Sequence, residues 1–324
     1  MFHHVRTASV AGLVIAVLSY PAHSAENGVG FYLLGSKGQG AAIMPPSGVY
    51  FQKPFYYYSG DLGGGKELPT GGKLAVDVRG DSFFTAPTVL WVAPEEILGG
   101  KLGLSATAPI GWVKTSAGVT FDGPLLGHRE ASVSDQVFTY GDPIVGGMLG
   151  WESGNLHYQL GTSVNVPIGD YQKNELANLA FHRWGVDVYG AVTYFDPSTG
   201  WDFSTAAGFT FNGENPATDY RTGTEFHLEG AITKYFNPQF SAGILGYYYH
   251  QVTGDSGDGA TLGDFKGQVA ALGASVGYTF VLGETPVVTQ LKVFHEFAAV
   301  NRAEGNAILA TITIPLSITK PAMP

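Results

Sequence analysis

The chain has no cysteine among its 324 residues. This absence excludes a disulfide scaffold, a cysteine-ligated zinc or iron–sulfur site and a thiol nucleophile. Only 14% of the residues are charged, whereas a typical soluble domain has about 25%. No stretch of the chain approaches the roughly 18 consecutive apolar residues of a membrane-spanning helix. The sequence is therefore poor in charge for a soluble protein, and it is not a bundle of membrane helices.

Glycine and aromatic residues are abundant instead. The chain contains 46 glycines, and 13% of its residues are aromatic. A chain rich in aromatics and poor in charge is not intrinsically disordered. The net charge is −10, which argues against nucleic acid as a partner because the phosphate backbone would be repelled.

The first 25 residues resemble an export signal. His3, His4 and Arg6 form a weakly basic start, and an apolar run follows from residue 8 to residue 18. A small-residue stretch comes next, which predicts a signal peptide over residues 1–25 with cleavage after Ser24 or Ala25. The run is too short for a helix that spans about 30 Å of hydrocarbon, so a membrane anchor is the weaker interpretation.

The rest of the chain alternates with a period of two. From residue 156 to residue 168, every second side chain is apolar, beginning with Leu156, Tyr158 and Leu160, and most side chains between them are polar or small. Such a pattern is typical of strands with one apolar and one polar face. Two architectures produce it. One is a soluble sandwich or barrel, and the other is a transmembrane barrel whose apolar face meets lipid.

Strand length, aromatic ends and loop lengths favour the transmembrane barrel. The alternating segments run for about 10 to 16 residues, whereas soluble strands average 5 to 6. Many apolar faces end in an aromatic residue, as at Trp184 and Trp201, where interfacial girdles are expected. Short turns alternate with long connections, predicted at 113–136, 169–182, 213–223 and 252–266. We predict an all-β, up-and-down antiparallel barrel over residues 49–319, with about twelve strands, although ten or fourteen remain open.

The predicted strands cover residues 49–59, 73–92, 100–112, 137–151, 156–168, 183–195, 201–212, 224–235, 240–251, 267–281, 287–298 and 306–318.

The segment 26–48 precedes the first predicted strand and shows no period. It is rich in glycine and proline, so a free periplasmic tail is one interpretation. The other is a plug tucked into the barrel, since Phe31, Tyr32, Leu33 and Leu34 are apolar enough to pack there.

The polar faces of the strands carry ionisable side chains that would face the lumen. The candidates are Lys101, Asp187, Asp202, Glu225, His227, Glu229, Lys292 and Glu296. Charges are expected inside a barrel, where water or opposite charges satisfy them. They either pair across the lumen or form a polar constriction that filters solutes. Tyr247 and Tyr249 alternate with Tyr248, so one side of this strand brings tyrosine rings to the lumen, where they suit an aromatic solute.

No stretch supplies convincing catalytic or cofactor chemistry. Residues 254–259 contain the letters of a serine-protease loop, but nothing directs a histidine to Ser256. Gly63–Lys66 lacks the order of a phosphate-binding loop, and His227 with its neighbouring glutamates is too small a set for a metal site. We therefore predict a protein that is not an enzyme and that has no cofactor or metal.

Several stretches, in their order and spacing, resemble a bacterial family labelled putative meta-pathway of phenol degradation. They are Pro45–Tyr50, Val166–Tyr171, Asn215–Glu225 and Gln251–Asp255. The resemblance covers nearly the whole mature chain. It implies an outer-membrane protein of a Gram-negative bacterium that takes up small hydrophobic or aromatic compounds. Its partners would be the lipid bilayer, lipopolysaccharide and the barrel-assembly machinery.

Two other functions compete with uptake. A structural barrel that only displays its loops is the main alternative, and an outer-membrane hydrolase is less favoured because its catalytic groups are missing from the pattern.

Overall fold

The computed structural model describes residues 29–68, 72–123, 127–173, 175–260 and 264–318. The predicted signal peptide, residues 1–25, lies outside these ranges. Regular structure in the described residues is β-strand throughout. No helix among the described residues is long and apolar enough to cross a membrane.

The strands follow one another along the chain and pair in antiparallel fashion. They are β1 (Gly48–Leu68), β2 (Gly72–Thr85), β3 (Thr88–Ile97), β4 (Gly100–Thr107), β5 (Ile110–Gly123), β6 (Gly127–Tyr140), β7 (Ile144–Ser153), β8 (Leu156–Asn165), β9 (Gly185–Asp196), β10 (Trp201–Asn212), β11 (Glu214–Asn215), β12 (Tyr220–Arg221), β13 (Glu225–Tyr235), β14 (Phe240–Gln251), β15 (Gln268–Leu282), β16 (Thr285–Val300) and β17 (Glu304–Ile318). All of them except the small β11–β12 hairpin belong to one sheet, which closes where β17 pairs with β1.

Three long strands are interrupted at prolines. β2 and β3 are separated at Pro87, β4 and β5 at Pro109, and β6 and β7 at Pro143. Proline lacks the N–H that a sheet ladder needs, so the ladder breaks at each of these positions. When each interrupted pair is counted as one strand, the barrel has twelve strands, which confirms the predicted architecture.

The interruptions lie side by side in neighbouring strands. The backbone N–H of Ala108 donates to the carbonyl of Pro87 at 3.0 Å, and the N–H of Gly141 donates to the carbonyl of Pro109 at 2.9 Å. Beyond this row, β6 pairs only with β5 and leaves its other edge without a strand partner among the described residues. The strand pairing of the barrel wall is therefore interrupted along a line of prolines.

The long loop predicted at residues 113–136 is wrong. This region is a hairpin in which Ile110–Gly123 of β5 pairs with Gly127–Tyr140 of β6. One face of this hairpin is small or polar, as at Ser116, Gly118 and Ser132, whereas Val113, Ala117 and Val133 of the opposite face line the inner cavity. The hairpin therefore lacks the apolar outer face that marks the other strands. Backbone pairing with β2 forms the strand nevertheless. The predicted connections at 169–182, 213–223 and 252–266 do lie between the main strands.

The apolar faces point outward and the polar faces point inward. Leu160, Ile244 and Leu272 are each more than 60% exposed, whereas Asp187 and Thr210 are fully buried. This distribution is the reverse of a soluble protein and is the one expected for a barrel surrounded by lipid. Trp184 precedes β9 at the long-loop end and Trp201 begins β10 at the short-turn end, and both are exposed on the outer surface.

An arginine on the outer face should cost far more than one on the inner face. Leu160 lies in the middle of β8 and faces outward, and Ser163 of the same strand lines the inner cavity. Leu160→Arg should lower the free energy of unfolding by about 2–4 kcal/mol, because a charge near the bilayer midplane is poorly solvated. Ser163→Arg should cost much less. A denaturant refolding titration in lipid vesicles measures both, and equal costs would contradict the face assignment.

Candidate functional site in the barrel lumen

Residues 29–47, here called the inner segment, run along the inside of the barrel wall. The segment begins near the long-loop end, where Gly30 approaches the carboxylate of Glu225. It ends at the first strand, where the Ser47 hydroxyl donates to the carbonyl of Ala93 at 2.8 Å. The side chains that it meets belong to the polar faces of the strands.

The upper part of the inner segment contacts a buried polar group on β9 and β13. The ring of Tyr32 stacks on His227 with the ring centroids 3.6 Å apart. Its hydroxyl donates to Glu229 at 2.8 Å, and the N–H of Gly35 donates to the same carboxylate oxygen at 3.2 Å. His227 Nε2 lies 2.8 Å from Asp187 Oδ2. His227, Glu229 and Asp187 thus each contact a residue that is remote in sequence, and only the tertiary structure identifies that contact.

Lys292 of β16 clamps the turn that follows. Its buried ammonium donates to the carbonyls of Gly35 at 2.9 Å, Ser36 at 2.9 Å and Lys37 at 2.7 Å. An ammonium has three donors, and all three are used here. Gly35 has φ of +81°, and a Cβ added there would lie 2.7 Å from the ring of Phe294, so this turn requires glycine.

The lower part of the inner segment is held through its backbone. The N–H of Gly40 donates to Asp202 Oδ2 at 3.1 Å and to the Ser204 hydroxyl at 3.1 Å. The N–H of Ala42 donates to the Thr193 hydroxyl at 3.1 Å. These lumen side chains accept hydrogen bonds from backbone N–H groups in a segment that has no regular secondary structure of its own.

The predicted plug residues lie against the wall. Phe31 is buried beside Gly185, and Leu34 is buried in a cluster that includes Leu245 and Phe294. Tyr32 packs against the same cluster, and Leu33 is half-buried and lines the cavity described below. Occlusion of the lumen by this segment remains a prediction.

The predicted lumen residues are buried, with one exception. The buried residues are Asp187, Asp202, Glu225, His227, Glu229, Lys292 and Glu296. Lys101 is half-buried near the short-turn end of β4, where it pairs with Gly150 across the sheet. The buried residues do not form one ring. Most of them bind the inner segment, and Glu225 and Glu296 bind tyrosines.

The tyrosines of β14 that face the lumen are Tyr247 and Tyr249, both buried. The Tyr247 hydroxyl donates to Glu296 at 2.8 Å, and the Tyr249 hydroxyl donates to Glu225 at 2.7 Å. Glu296 also accepts from the Tyr58 hydroxyl at 2.7 Å and from the N–H of Gly305 at 3.0 Å. The carboxylates are therefore hydrogen-bonded, and Tyr247 lines the cavity described below with its ring packed against Phe294, at 5.1 Å between the ring centroids.

A cavity of about 1520 Å³ lies between the inner segment and the wall formed by β1, β2 and β5. Its lining is mostly apolar or aromatic and includes Tyr56, Val78, Phe84, Val113, Leu179 and Leu309. The loop between β8 and β9 and parts of the connections near residues 217–220 and 259–260 cover its outer end. The barrel thus holds a large, mainly apolar space beside a polar segment.

Asp142 fastens the β8–β9 loop over this cavity. Its carboxylate is buried at the interruption before Pro143. It accepts hydrogen bonds from the N–H groups of Gly169 at 2.8 Å, Phe181 at 2.8 Å and His182 at 2.9 Å, and also from the Asn165 amide at 3.0 Å. One side chain therefore holds both ends of the loop.

The same loop also covers the free edge of β6. The N–H of Asp170 donates to the carbonyl of Tyr140 at 3.1 Å, and the N–H of Ala177 donates to Asp135 at 2.9 Å. Hydrogen bonds from Thr139 and Gln172 lower the pKa of the half-buried Asp170 carboxyl below its ordinary value.

Residues 254–259, whose sequence is similar to a serine-protease nucleophile loop, have a structural role. Asp255 is buried and accepts from the N–H of Gly223 at 3.0 Å and from the Tyr220 hydroxyl at 2.5 Å. Ser256 exchanges backbone hydrogen bonds with Arg221. The described residues contain no group of three or more histidines and carboxylates arranged for a metal ion.

Sequence reasoning missed Asp142, Tyr58 and Arg302, all of which line the cavity. Asp142 and the proline that follows it had a signal, since prolines recur at 87, 109 and 143 in segments that otherwise look like strands. Tyr58 lies in a run of three tyrosines whose phase is ambiguous, and Arg302 lies in a turn that has no periodicity.

A closed antiparallel barrel with an apolar outer face and polar side chains in its lumen defines the class of outer-membrane β-barrel proteins. Within that class, residues 64–312 match the family described as "Putative MetA-pathway of phenol degradation", and the chain belongs to this family. The resemblance drawn from the sequence is thereby confirmed.

Solved structures share the fold. An outer-membrane channel from Pseudomonas putida F1 is 14% identical, with 84% of this chain and 97% of that chain covered and a TM-score of 0.65. A FadL homologue from Pseudomonas aeruginosa is 9% identical, with 83% and 90% covered and a TM-score of 0.38. The first likeness shows the barrel fold, and the second is too distant to support an argument. No curated protein sequence matches the chain significantly.

Proposed function

We propose that this protein is an outer-membrane channel for the uptake of small hydrophobic or aromatic compounds. The observation that carries the proposal is the cavity of about 1520 Å³ inside the barrel, with its mainly apolar and aromatic lining. A diffusion pore for sugars or ions would instead need an open lumen with polar walls. Membership of a phenol-degradation family supports the same class of solute.

The loops give an apolar solute a path into this cavity. Leu176, Leu179 and Phe181 of the β8–β9 loop line its outer end. Apolar surface that leaves water gains about 25 cal/mol for each Å² buried, so a hydrophobic solute would enter such a space spontaneously. The polar lipopolysaccharide layer, by contrast, resists hydrophobic solutes, which is why a protein path would be useful.

The proposal includes a cleaved signal peptide at residues 1–25, insertion by the barrel-assembly machinery and a plug formed by the inner segment. It assigns no catalytic residue. The segment is suited to block hydrophilic solutes because Glu229, Lys292 and Asp202 hold it on the wall through direct hydrogen bonds.

Two uptake measurements test the proposal. Cells that produce the protein should accumulate radiolabelled toluene or phenol at low external concentration several-fold faster than cells that lack the gene. Liposomes that contain the purified protein should swell slowly in arabinose, because the lumen does not admit sugars. Heat-dependent migration in gels confirms that the barrel is folded in each sample. Equal toluene uptake by the two strains would overturn the proposal and leave a barrel that only displays its loops.

A further inference from the structure

The charged groups that line the cavity are unequally satisfied. Glu296 accepts three hydrogen bonds and Asp142 accepts four from the protein itself. Arg302, in the turn between β16 and β17, is different. Its guanidinium lies over the ring of Tyr249 at 4.2 Å, and its Nη1 is buried with no hydrogen-bond partner among the described residues. The cavity therefore has hydrogen-bonded carboxylates and one guanidinium nitrogen that lacks an acceptor among the described residues.

A buried guanidinium nitrogen without an acceptor is unfavourable, because its N–H groups have lost water without gaining a hydrogen-bond partner. Its planar fork of N–H donors fits the two oxygens of a carboxylate, which can accept two parallel hydrogen bonds. The carboxylates nearest to it in the lumen do not fill this role. Glu225 and Glu296 direct their oxygens to tyrosine hydroxyls.

The surroundings of Arg302 suit a ligand with one charge and an apolar body. Tyr56, Tyr58 and Leu309 line the same cavity as Arg302. Glu225 and Glu296 also interact electrostatically with this guanidinium, so they would repel a ligand with two negative charges more strongly than a ligand with one. The remaining lining offers mainly apolar surface to the rest of the molecule.

We propose that Arg302 binds the carboxylate of a hydrophobic monocarboxylic acid whose aromatic or aliphatic body lies in the cavity. This inference rests on the proposed uptake function, which places the cavity that Arg302 lines on the path of the solute. It goes beyond that function because it names the acidic members of the hydrophobic class as preferred ligands and identifies the side chain that selects them.

Equilibrium dialysis of the purified, full-length protein tests the proposal with two probes of the same shape. The probes are 4-phenylbutyrate and its uncharged amide, 4-phenylbutyramide. The wild type should bind the acid at least about tenfold more tightly, because a hydrogen bond to a charged group contributes more than a neutral one. Arg302→Gln should abolish this preference and leave the affinity for the amide unchanged. Arg302→Lys should keep only part of it, since an ammonium lacks the fork.

The matched control is Arg79→Gln. Arg79 is exposed and already paired with Asp61 and Asp81, so its loss removes the same charge without touching the cavity and should leave the preference intact. Unchanged amide binding by Arg302→Gln shows that this variant is folded. Equal affinity of the wild type for both probes, or a preference that survives in Arg302→Gln, would overturn the proposal. Toluene has no carboxylate, so a failure of toluene uptake overturns the uptake function and leaves the binding preference standing.

Discussion

Planar bilayers that contain the Lys292→Met variant should carry at least about tenfold more ion current than bilayers with the wild type. Methionine keeps the length of the side chain and removes the three donors that hold the carbonyls of Gly35, Ser36 and Lys37. A buried acceptor left without a donor costs about 1–3 kcal/mol, and each 1.4 kcal/mol changes a population about tenfold. Loss of the clamp should therefore release the inner segment from the wall often enough to open the lumen.

Two comparisons make this result interpretable. Deletion of residues 29–44 should give the largest current, because it removes the segment altogether. Lys101→Met removes the same charge from a half-buried position near the short-turn end, and it should behave like the wild type. If the deletion leaves the current unchanged, the segment does not block the lumen. If the deletion raises the current and Lys292→Met does not, the clamp is not what holds the segment.

Asp142→Ala should expose the β8–β9 loop to trypsin and raise the rate of cleavage after Lys173 by at least about tenfold. The four hydrogen bonds to this carboxylate come from both ends of the loop and from Asn165. Their donors become unsatisfied in the variant, at a cost of about 1–3 kcal/mol for each group that stays buried. The free energy needed to open the loop locally then falls, and the rate of proteolysis follows the population of the open loop. Mass spectrometry of the fragments locates the cut.

The control for this prediction lies in the same loop. Asp170 is half-buried and accepts hydrogen bonds from the side chains of Thr139 and Gln172, so it does not hold both ends of the loop. Asp170→Ala should therefore change the cleavage rate much less than Asp142→Ala does. The barrel itself should keep its heat-dependent migration in both variants. A cleavage rate in Asp142→Ala equal to that of the wild type would show that other contacts hold the loop.

The period-two pattern predicted most of the strands in the barrel wall because it follows from a simple physical requirement. In lipid every strand must turn one face to hydrocarbon, so Leu160, Ile244 and their counterparts repeat at every second position. The pattern fails at residues 113–136, where the face with Ser116 and Gly118 is small or polar and the apolar residues, such as Val113 and Val133, line the inner cavity. The predicted loop length is wrong for the same reason, because a hairpin without an apolar outer face does not show the pattern of a lipid-facing strand.

The sequence likewise predicted one part of the candidate site and missed another. The sequence alone identified which charged residues share the inner face, since strand phase follows from the neighbours of each residue. It could not assign their partners, because the Tyr32–Glu229 and Lys292–Gly35 contacts join residues about 200 or more positions apart. It also could not find Asp142 or Arg302, whose roles depend on a strand interruption and on a turn.

The sequence by itself determined that this protein is a β-barrel with an apolar exterior, because composition and alternation report directly on the solvent that surrounds each face. Only the tertiary structure decided what fills the interior. The cavity, the hydrogen bonds of Lys292 to the inner segment and the position of Arg302 all depend on contacts between strands that are remote in sequence. The local pattern of a strand does not encode its distance from such a remote strand.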